Sequence, residues 1–307
     1  MSLRESVKKL SWRGFSALDR VGLHVLPKHY YTPVADRAWL RAHPEAWRRP
    51  LPLDWDLDEQ VAWLREVCGT HYEEVEGLHA YWQLARAGLG PGYGPIESQV
   101  LHCFVRSQAP RRVVEIGGGV TSAMLAGAAR LNGEEGRPVA RITTLDPAPW
   151  GPLLTLEGIE LLRVPCQDAP RELFAELGAG DLLFVDSSHA VKTGSEVAEI
   201  YLEIVPSLAA GVIVHVHDVF LPYLYAPTVL TDYFDPQETT LVAALLQDND
   251  RLEVLCCESA LHHERRQQLR EILLDYRPQA MSDGLVVSKL EGHFPSSLWL
   301  RTRPAPA

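Results

Sequence analysis

The chain is short of basic charge, of long apolar runs and of cysteine in any paired arrangement. Its 307 residues hold 29 Lys and Arg against 40 Asp and Glu, a formal net charge of −11. Gripping a phosphate backbone needs a basic face, so non-specific binding to nucleic acid or to an anionic membrane is disfavoured. No stretch approaches the ~18 apolar residues of a transmembrane helix, which argues against a membrane partner. Residues 1–14 are amphiphilic and basic without an apolar core, so no secretory signal is expected. The five cysteines, Cys68, Cys103, Cys166, Cys256 and Cys257, are odd in number and form no C-x-x-C pair. They read as reduced thiols of a cytoplasmic protein, with Cys256-Cys257 as buried strand filler. What remains, 46% hydrophobic and 22% charged, is an ordinary globular composition able to bury a core.

Texture changes along the chain. Residues 1–105 are rich in Trp, His, Arg and Pro, with helical periodicity in pieces, and read as a mainly helical cap. Asp54-x-Asp56-x-Asp58 opens one helix, 70–87 reads as a second, and 96–108 as a third after a Gly-Pro loop. From 106 to 307, short aliphatic runs alternate with helices: 112–116, 140–145, 159–164, 182–185 and 211–216. Such runs are how strands buried on both faces read. Intervening helices make a β-α-β series and therefore a parallel sheet. Two later runs, 251–257 and 297–302, complete a doubly wound, Rossmann-like, seven-stranded α/β sheet with one antiparallel member. Residues 258–278 read as a charged surface helix.

The sharpest local signal is Val113-Val114-Glu115-Ile116-Gly117-Gly118-Gly119-Val120-Thr121-Ser122. A buried strand runs into a glycine turn and straight into a helix opened by Thr121 and Ser122. Glycines let backbone amides approach a ligand, and the helix N-terminus adds donors and the positive end of its dipole. A dinucleotide loop would space its glycines G-x-G-x-x-G, whereas here the spacing is Glu115-x-Gly117-x-Gly119. A tight turn without a ligand is the plain alternative. Asp146 ends the second strand, where an acid can take both ribose hydroxyls or simply hold a turn. Asp168, with Gln167 beside it, ends the third and suits an adenine contact or a helix cap. Polar residues at three successive strand ends match the rule that ligands sit at the carboxyl edge of an open sheet. Together they indicate a nucleoside-bearing ligand.

The fourth strand ends in Asp186-Ser187-Ser188-His189 and the fifth in His215-Val216-His217-Asp218. Neighbouring strands bring Asp186, His189, His217 and Asp218 together. Alternation puts His215 and His217 on one face, with His215 deeper in a core role. His217 or His189 suits a general base, with Asp186 or Asp218 orienting the ring. Asp186, His217 and Asp218 equally suit a mainly oxygen site for a hard divalent ion. A purely structural knot of caps and pairs is the third reading. The histidine base leads narrowly. Tyr93 and Glu97 are placed to close over the ligand from the cap, with packing and helix capping as their plain alternatives. His29, Tyr30, His79 and Trp82 are the cap residues best placed by sequence to meet a second substrate.

At these residues the chain resembles bacterial class I S-adenosylmethionine-dependent methyltransferases of natural-product and polysaccharide clusters, the methyltransferase-24 grouping. The blocks are Gly94-Pro95-Ile96-Glu97-Ser98, Val114 to Gly119, Phe184 to His189 with Lys192-x-Gly194-Ser195, Val214 to Phe220 with Pro222, and Ser297 to Arg301. Residues 22–33 are similar as well. The resemblance implies S-adenosylmethionine as donor, with Glu115, Gly117 and Gly119 at its methionine end, Asp146 at the ribose and Asp168 at the adenine. It also motivates magnesium or another divalent ion, through a more distant similarity to metal-dependent sugar O-methyltransferases. The expected reaction is methyl transfer to a hydroxyl of a small secondary metabolite or sugar. N- or C-methylation and cofactor binding without transfer are the alternatives, and a homodimer is left open. Relatives carry a tryptophan-rich acceptor segment with an Asn-Glu-Gln run where this chain has Phe234-Asp235-Pro236-Gln237-Glu238, so the acceptor does not carry over.

Overall fold

The aliphatic run Arg112–Ile116 forms β1, and its start is held by Asp181, whose Oδ1 accepts from the amides of Arg111 (3.1 Å) and Arg112 (2.9 Å). Around it, in the computed structural model, stand β2 (Arg141–Leu145), β3 (Glu160–Leu162), β4 (Leu182–Val185), β5 (Ile213–Val216) and β6 (Leu252–Cys257). A two-residue hairpin, β7 (Met281–Ser282) and β8 (Leu285–Val286), precedes β9 (Leu298–Thr302). The main sheet runs β3-β2-β1-β4-β5-β9-β6, and β9 is antiparallel to both neighbours. That is the doubly wound, mostly parallel seven-stranded sheet expected from the runs. The small hairpin was not expected.

Alternate side chains of each strand enter opposite layers, which is why these strands read as unbroken apolar runs. Val113, Leu182, Phe184 and Trp299 join one core, while Val114, Ile116, Leu183, Val185 and Leu300 join the other. The first layer is closed by helices α1 (Leu57–Cys68), α2 (Pro95–Gln108) and α3 (Val120–Glu134), and the second takes in α4 (Glu238–Leu246). Asp56 caps α1, its Oδ1 accepting from Asp58 and Glu59 at 2.9 and 3.0 Å. All five cysteines are free and buried. Trp299 is fully buried against Phe104 and Trp63, whereas Trp82 and Trp150 are exposed.

Two helical expectations need correction. The 70–87 stretch is not one helix, because Gly77 (φ 78°) and Leu78 (φ 58°) adopt left-handed backbone and split it into short turns before His79–Leu84. Nor is 258–278 a surface helix. It folds as α5 (Glu258–Glu264) and α6 (Arg266–Ile272), and Leu261, Leu269, Leu273 and Tyr276 are buried in the first core.

The structure describes residues 11, 14–26, 28, 31–90, 92–232, 235–287 and 291–304, so His29 and Tyr30 lie outside the described residues. The chain divides into two units, residues 1–47 and 48–307, and the sheet with its helices belongs to the second. The first contains the short helices Arg37–Ala42 and Pro44–Trp47, with Asp36 capping the former. Among the described residues no helix is long and apolar enough to cross a membrane.

Candidate active site

The ladder of the sheet continues one residue past four strands. Asp146 N donates to Leu162 O (3.1 Å), Gly117 N to Leu145 O, Asp186 N to Ile116 O and His217 N to Val185 O (2.9 Å each). Asp146, Gly117, Asp186 and His217 therefore stand in one row at the carboxyl edge, where parallel strands expose a ligand crevice.

Gly117 is a glycine for two reasons. Its φ is 85°, in the left-handed region, and a Cβ there would strike the backbone carbonyl of Asp186. Behind it the Glu115 carboxylate is wholly buried and accepts from Thr121 Oγ1, Ser122 Oγ and Thr144 Oγ1, each at 2.6 Å. Burial pushes its pKa up to about 7 against those three donors. The side chains of Glu115, Thr121 and Ser122, expected at the ligand, hydrogen-bond to one another behind the loop. The face left to a ligand is the glycine backbone.

Asp146 is half-buried. Its Oδ2 lies 3.3 Å from the Gly118 amide and its Oδ1 accepts from Ala148 N at 2.8 Å, so it holds the loop and the turn together. Asp168 is exposed in the turn Cys166–Asp168. Its neighbour Gln167 donates through Nε2 to Gly194 O at 2.8 Å, and its Oε1 is buried without a hydrogen-bond partner. Both candidates at this strand end offer an acceptor, the exposed carboxylate of Asp168 and the buried Oε1 of Gln167.

The strongest clustering is at β4 and β5. Asp186 Oδ1 lies 3.1 Å from His217 Nδ1 and 3.2 Å from His189 Nε2. Asp218 reaches both rings, Oδ2 to His189 Nε2 at 3.6 Å and Oδ1 to His217 Nε2 at 3.7 Å. His189 and Asp218 both have φ 56°, a conformation that costs a non-glycine residue on the order of 1 kcal/mol or more and gathers at working sites. Asp186, His189 and His217 offer ligand atoms within 4.8 Å of one another.

A second ring of groups holds these in place. His189 Nδ1 bonds Glu238 Oε2 at 2.6 Å, and Glu238 also accepts from Tyr201 (2.7 Å) and Ser187 (3.2 Å). Glu97, buried at the start of α2, lies 3.5 Å from His217 Nε2 and accepts from Ser296 N (2.8 Å) and Ser297 Oγ (3.0 Å). Tyr93 packs its ring 4.8 Å from His217, and its hydroxyl meets His215 Nε2 at 3.0 Å. Glu97 thus belongs to the polar cluster and Tyr93 to its floor. His215 is buried beneath, as expected, stacked on Phe184. Lys192 is exposed, while Ser195 bonds its amide and shapes the following turn. His79 and Trp82 are both exposed on the cap side.

Charge decides what the histidines can do. Burial alone would lower both imidazole pKa values, but the surrounding carboxylates outweigh it. Asp186 and Glu238 push His189 up to about 10, and Asp218, Asp186 and Glu97 raise His217 well above its usual value. Burial would raise Asp186, yet the two rings hold it below the usual carboxylate range. In this geometry the carboxylates favour the protonated form of both rings, which works against either as a general base.

Sequence reading missed Glu238 and Ser296, whose hydroxyl donates to Asp218 Oδ1 at 3.1 Å. Neither sits in a motif. Glu238 could have been suspected only as the acid standing where relatives have their Asn-Glu-Gln run.

The family model described as a methyltransferase domain matches residues 114–219, from the middle of β1 past the end of β5. The matched span therefore contains the glycine loop, Asp146, Asp186, His189, His217 and Asp218. No curated protein matches the chain. Among solved structures, CmcI with S-adenosylhomocysteine is 17% identical, with 69% of this chain and 78% of that one covered and a TM-score of 0.37. CmcI with Mg and S-adenosylmethionine gives the same identity and TM-score, covering 68% and 72%. The plantazolicin methyltransferase BamL is 12% identical (80% and 97% covered, TM-score 0.35). CalS11, a TDP-rhamnose 3'-O-methyltransferase of calicheamicin biosynthesis, is 15% identical (84% and 97% covered, TM-score 0.34).

Proposed function

We propose that the chain transfers the sulfonium methyl group of S-adenosylmethionine to a hydroxyl of a small molecule, a secondary metabolite or a sugar. One observation carries this: the row Asp146, Gly117, Asp186, His217 at the carboxyl edge, inside the span that matches a methyltransferase domain. The donor's chemistry suits what stands there. The glycine backbone takes the amino-acid end, Asp146 accepts from the ribose hydroxyls, and the unpartnered Gln167 Oε1 accepts from the adenine amine. Four carboxylates (Glu97, Asp186, Asp218, Glu238) around two imidazoles favour a cationic ligand, whether a sulfonium or a divalent ion.

Methyl transfer to oxygen is an in-line displacement. The carbon–sulfur bond breaks as the carbon–oxygen bond forms, sulfur keeps the electron pair, and the hydroxyl proton must leave. Alignment supplies most of the rate, and a proton acceptor on the order of 10²–10⁴ more. With the surrounding carboxylates favouring the protonated rings while no ion is bound, that role falls to the Asp218 carboxylate, the most open group of the cluster with 32% of its side chain exposed. Asp186, His189, His217 and Asp218 would hold a divalent ion. When bound, such an ion supplies Lewis acidity that lowers the pKa of the acceptor hydroxyl. The test is transfer of labelled methyl to a panel of hydroxylated small molecules, with the product located by NMR. An O-methyl product is expected, and an N- or C-methyl product contradicts the reading.

A further inference from the structure

A site for magnesium needs oxygen. Mg2+ prefers octahedral oxygen and keeps its waters, whereas imidazole suits zinc, iron, cobalt and nickel. The donors gathered at β4 and β5 are mixed. Asp186 Oδ1 is flanked by His217 Nδ1 at 3.1 Å and His189 Nε2 at 3.2 Å. Two donors each ~2.1 Å from one ion, at tetrahedral or octahedral angles, stand about 3.0–3.4 Å apart. The two Asp186–imidazole spacings, which are hydrogen-bond and ion-pair distances in the structure, also fit ligands sharing a first-row ion.

A second observation is independent of the spacing. Metal-ligating histidines almost always give their other ring nitrogen to a carboxylate or carbonyl, which fixes the tautomer and the ring plane. His189 is held that way, its Nδ1 by Glu238 Oε2 at 2.6 Å, while Glu97 Oε1 stands behind His217 Nε2 at 3.5 Å, within ion-pair range. Glu238 is fully buried and reaches His189 from the start of α4, so the ring is braced from behind with Nε2 turned towards Asp186. The left-handed backbone of His189, φ 56°, is the turn that brings that ring back over the end of β4.

We infer that Asp186, His189 and His217, with Asp218 beside them, form a two-histidine, carboxylate site that selects a borderline first-row ion such as Zn2+, Co2+ or Fe2+ over Mg2+. This rests on the methyltransferase reading for the ion's purpose but not for its binding. The ion acts as a Lewis acid, and no change of its oxidation state is part of the inference.

Untagged, chelator-stripped full chain is titrated with Co2+, Zn2+ and Mg2+ by calorimetry, while the visible absorption of bound Co2+ reports nitrogen ligation. S-adenosylhomocysteine binding is measured on the same sample. The expected result is at least a hundredfold preference for Co2+ and Zn2+ over Mg2+, with an intensified Co2+ spectrum. His189→Gln and Asp186→Asn should each lower the Co2+ affinity at least tenfold, with an unchanged circular dichroism spectrum showing that each variant is folded. Mg2+ binding as tight as Co2+ overturns the inference. So does a Co2+ spectrum that survives in His189→Gln, which would place the ion elsewhere, for instance at His262-His263. A chain that binds Co2+ as expected but not S-adenosylhomocysteine upholds the metal site and sinks the methyltransferase reading. The reverse pattern does the opposite.

Discussion

Glu238 touches neither the glycine loop nor the row of strand ends, yet it sets the state of His189. Its buried carboxylate takes one ring nitrogen at 2.6 Å while Tyr201 and Ser187 hold it still. It is a positioning residue. Glu238→Gln keeps the shape and removes the charge, so kcat should fall on the order of 10–100-fold, the usual cost of losing such an outer partner. The KM for S-adenosylmethionine should stay within about twofold, since the proposed donor site lies elsewhere along the edge. Steady-state kinetics separates the two parameters, and a raised KM with kcat intact would contradict the role. Asp186, His189, His217 and Asp218 could be read from sequence because each follows a strand, and strand ends in a parallel sheet converge. Glu238 could not, because it enters on a helix after the long connection 217–237, whose path no periodicity predicts. The left-handed turns at His189 and Asp218 were equally hidden, since neither residue is a glycine.

Among the elements, the strands were the most legible. β1 and β4 fall on the apolar runs residue for residue, because strands covered on both faces tolerate little else. Helical segments were less so. Charges in 258–278 suggested a surface, but Leu261, Leu269, Ile272, Leu273 and Tyr276 bury the segment in the first core. The turn Tyr72–Glu74 is tied to α2 by an ionic knot: Glu74 meets Arg106 Nε at 2.9 Å, His102 Nε2 at 2.7 Å and His71 Nδ1 at 3.0 Å. Burial would raise the Glu74 pKa, but these partners pull it from 4.5 to about 2. A depressed carboxylate stabilises the fold above its unfolded pKa, and that contribution is lost as pH falls from about 4.5 towards 2. With the side chain 29% exposed, solvent screening keeps it near 1 kcal/mol. Glu74→Gln should therefore lower stability by about that much at pH 7, with the difference from the parent chain vanishing near pH 2. Urea unfolding across that pH range checks this, and a difference that persists at pH 2 would mean the carboxylate's charge is not what holds the turn.

For the whole molecule, the deficit of basic charge and the parallel sheet agree on the kind of ligand. A chain with net charge −11 that opens its carboxyl edge around acids suits a cationic small molecule better than a phosphate polymer. The nucleoside part of that proposal rests on the glycine spacing and Asp146, both of which were legible in the sequence. The inward-turned Glu115 and the buried, unpartnered acceptor of Gln167 needed the structure, because both depend on which way a side chain faces. The measurement that bears most directly on the account is calorimetric titration of the intact chain with S-adenosylmethionine, S-adenosylhomocysteine and NADH. Binding of both sulfur compounds with Kd in the micromolar range, about −8 kcal/mol, is the predicted result, with no heat from NADH. Binding of NADH alone, or of none of the three, would contradict the account and return the glycine loop to another ligand or to none.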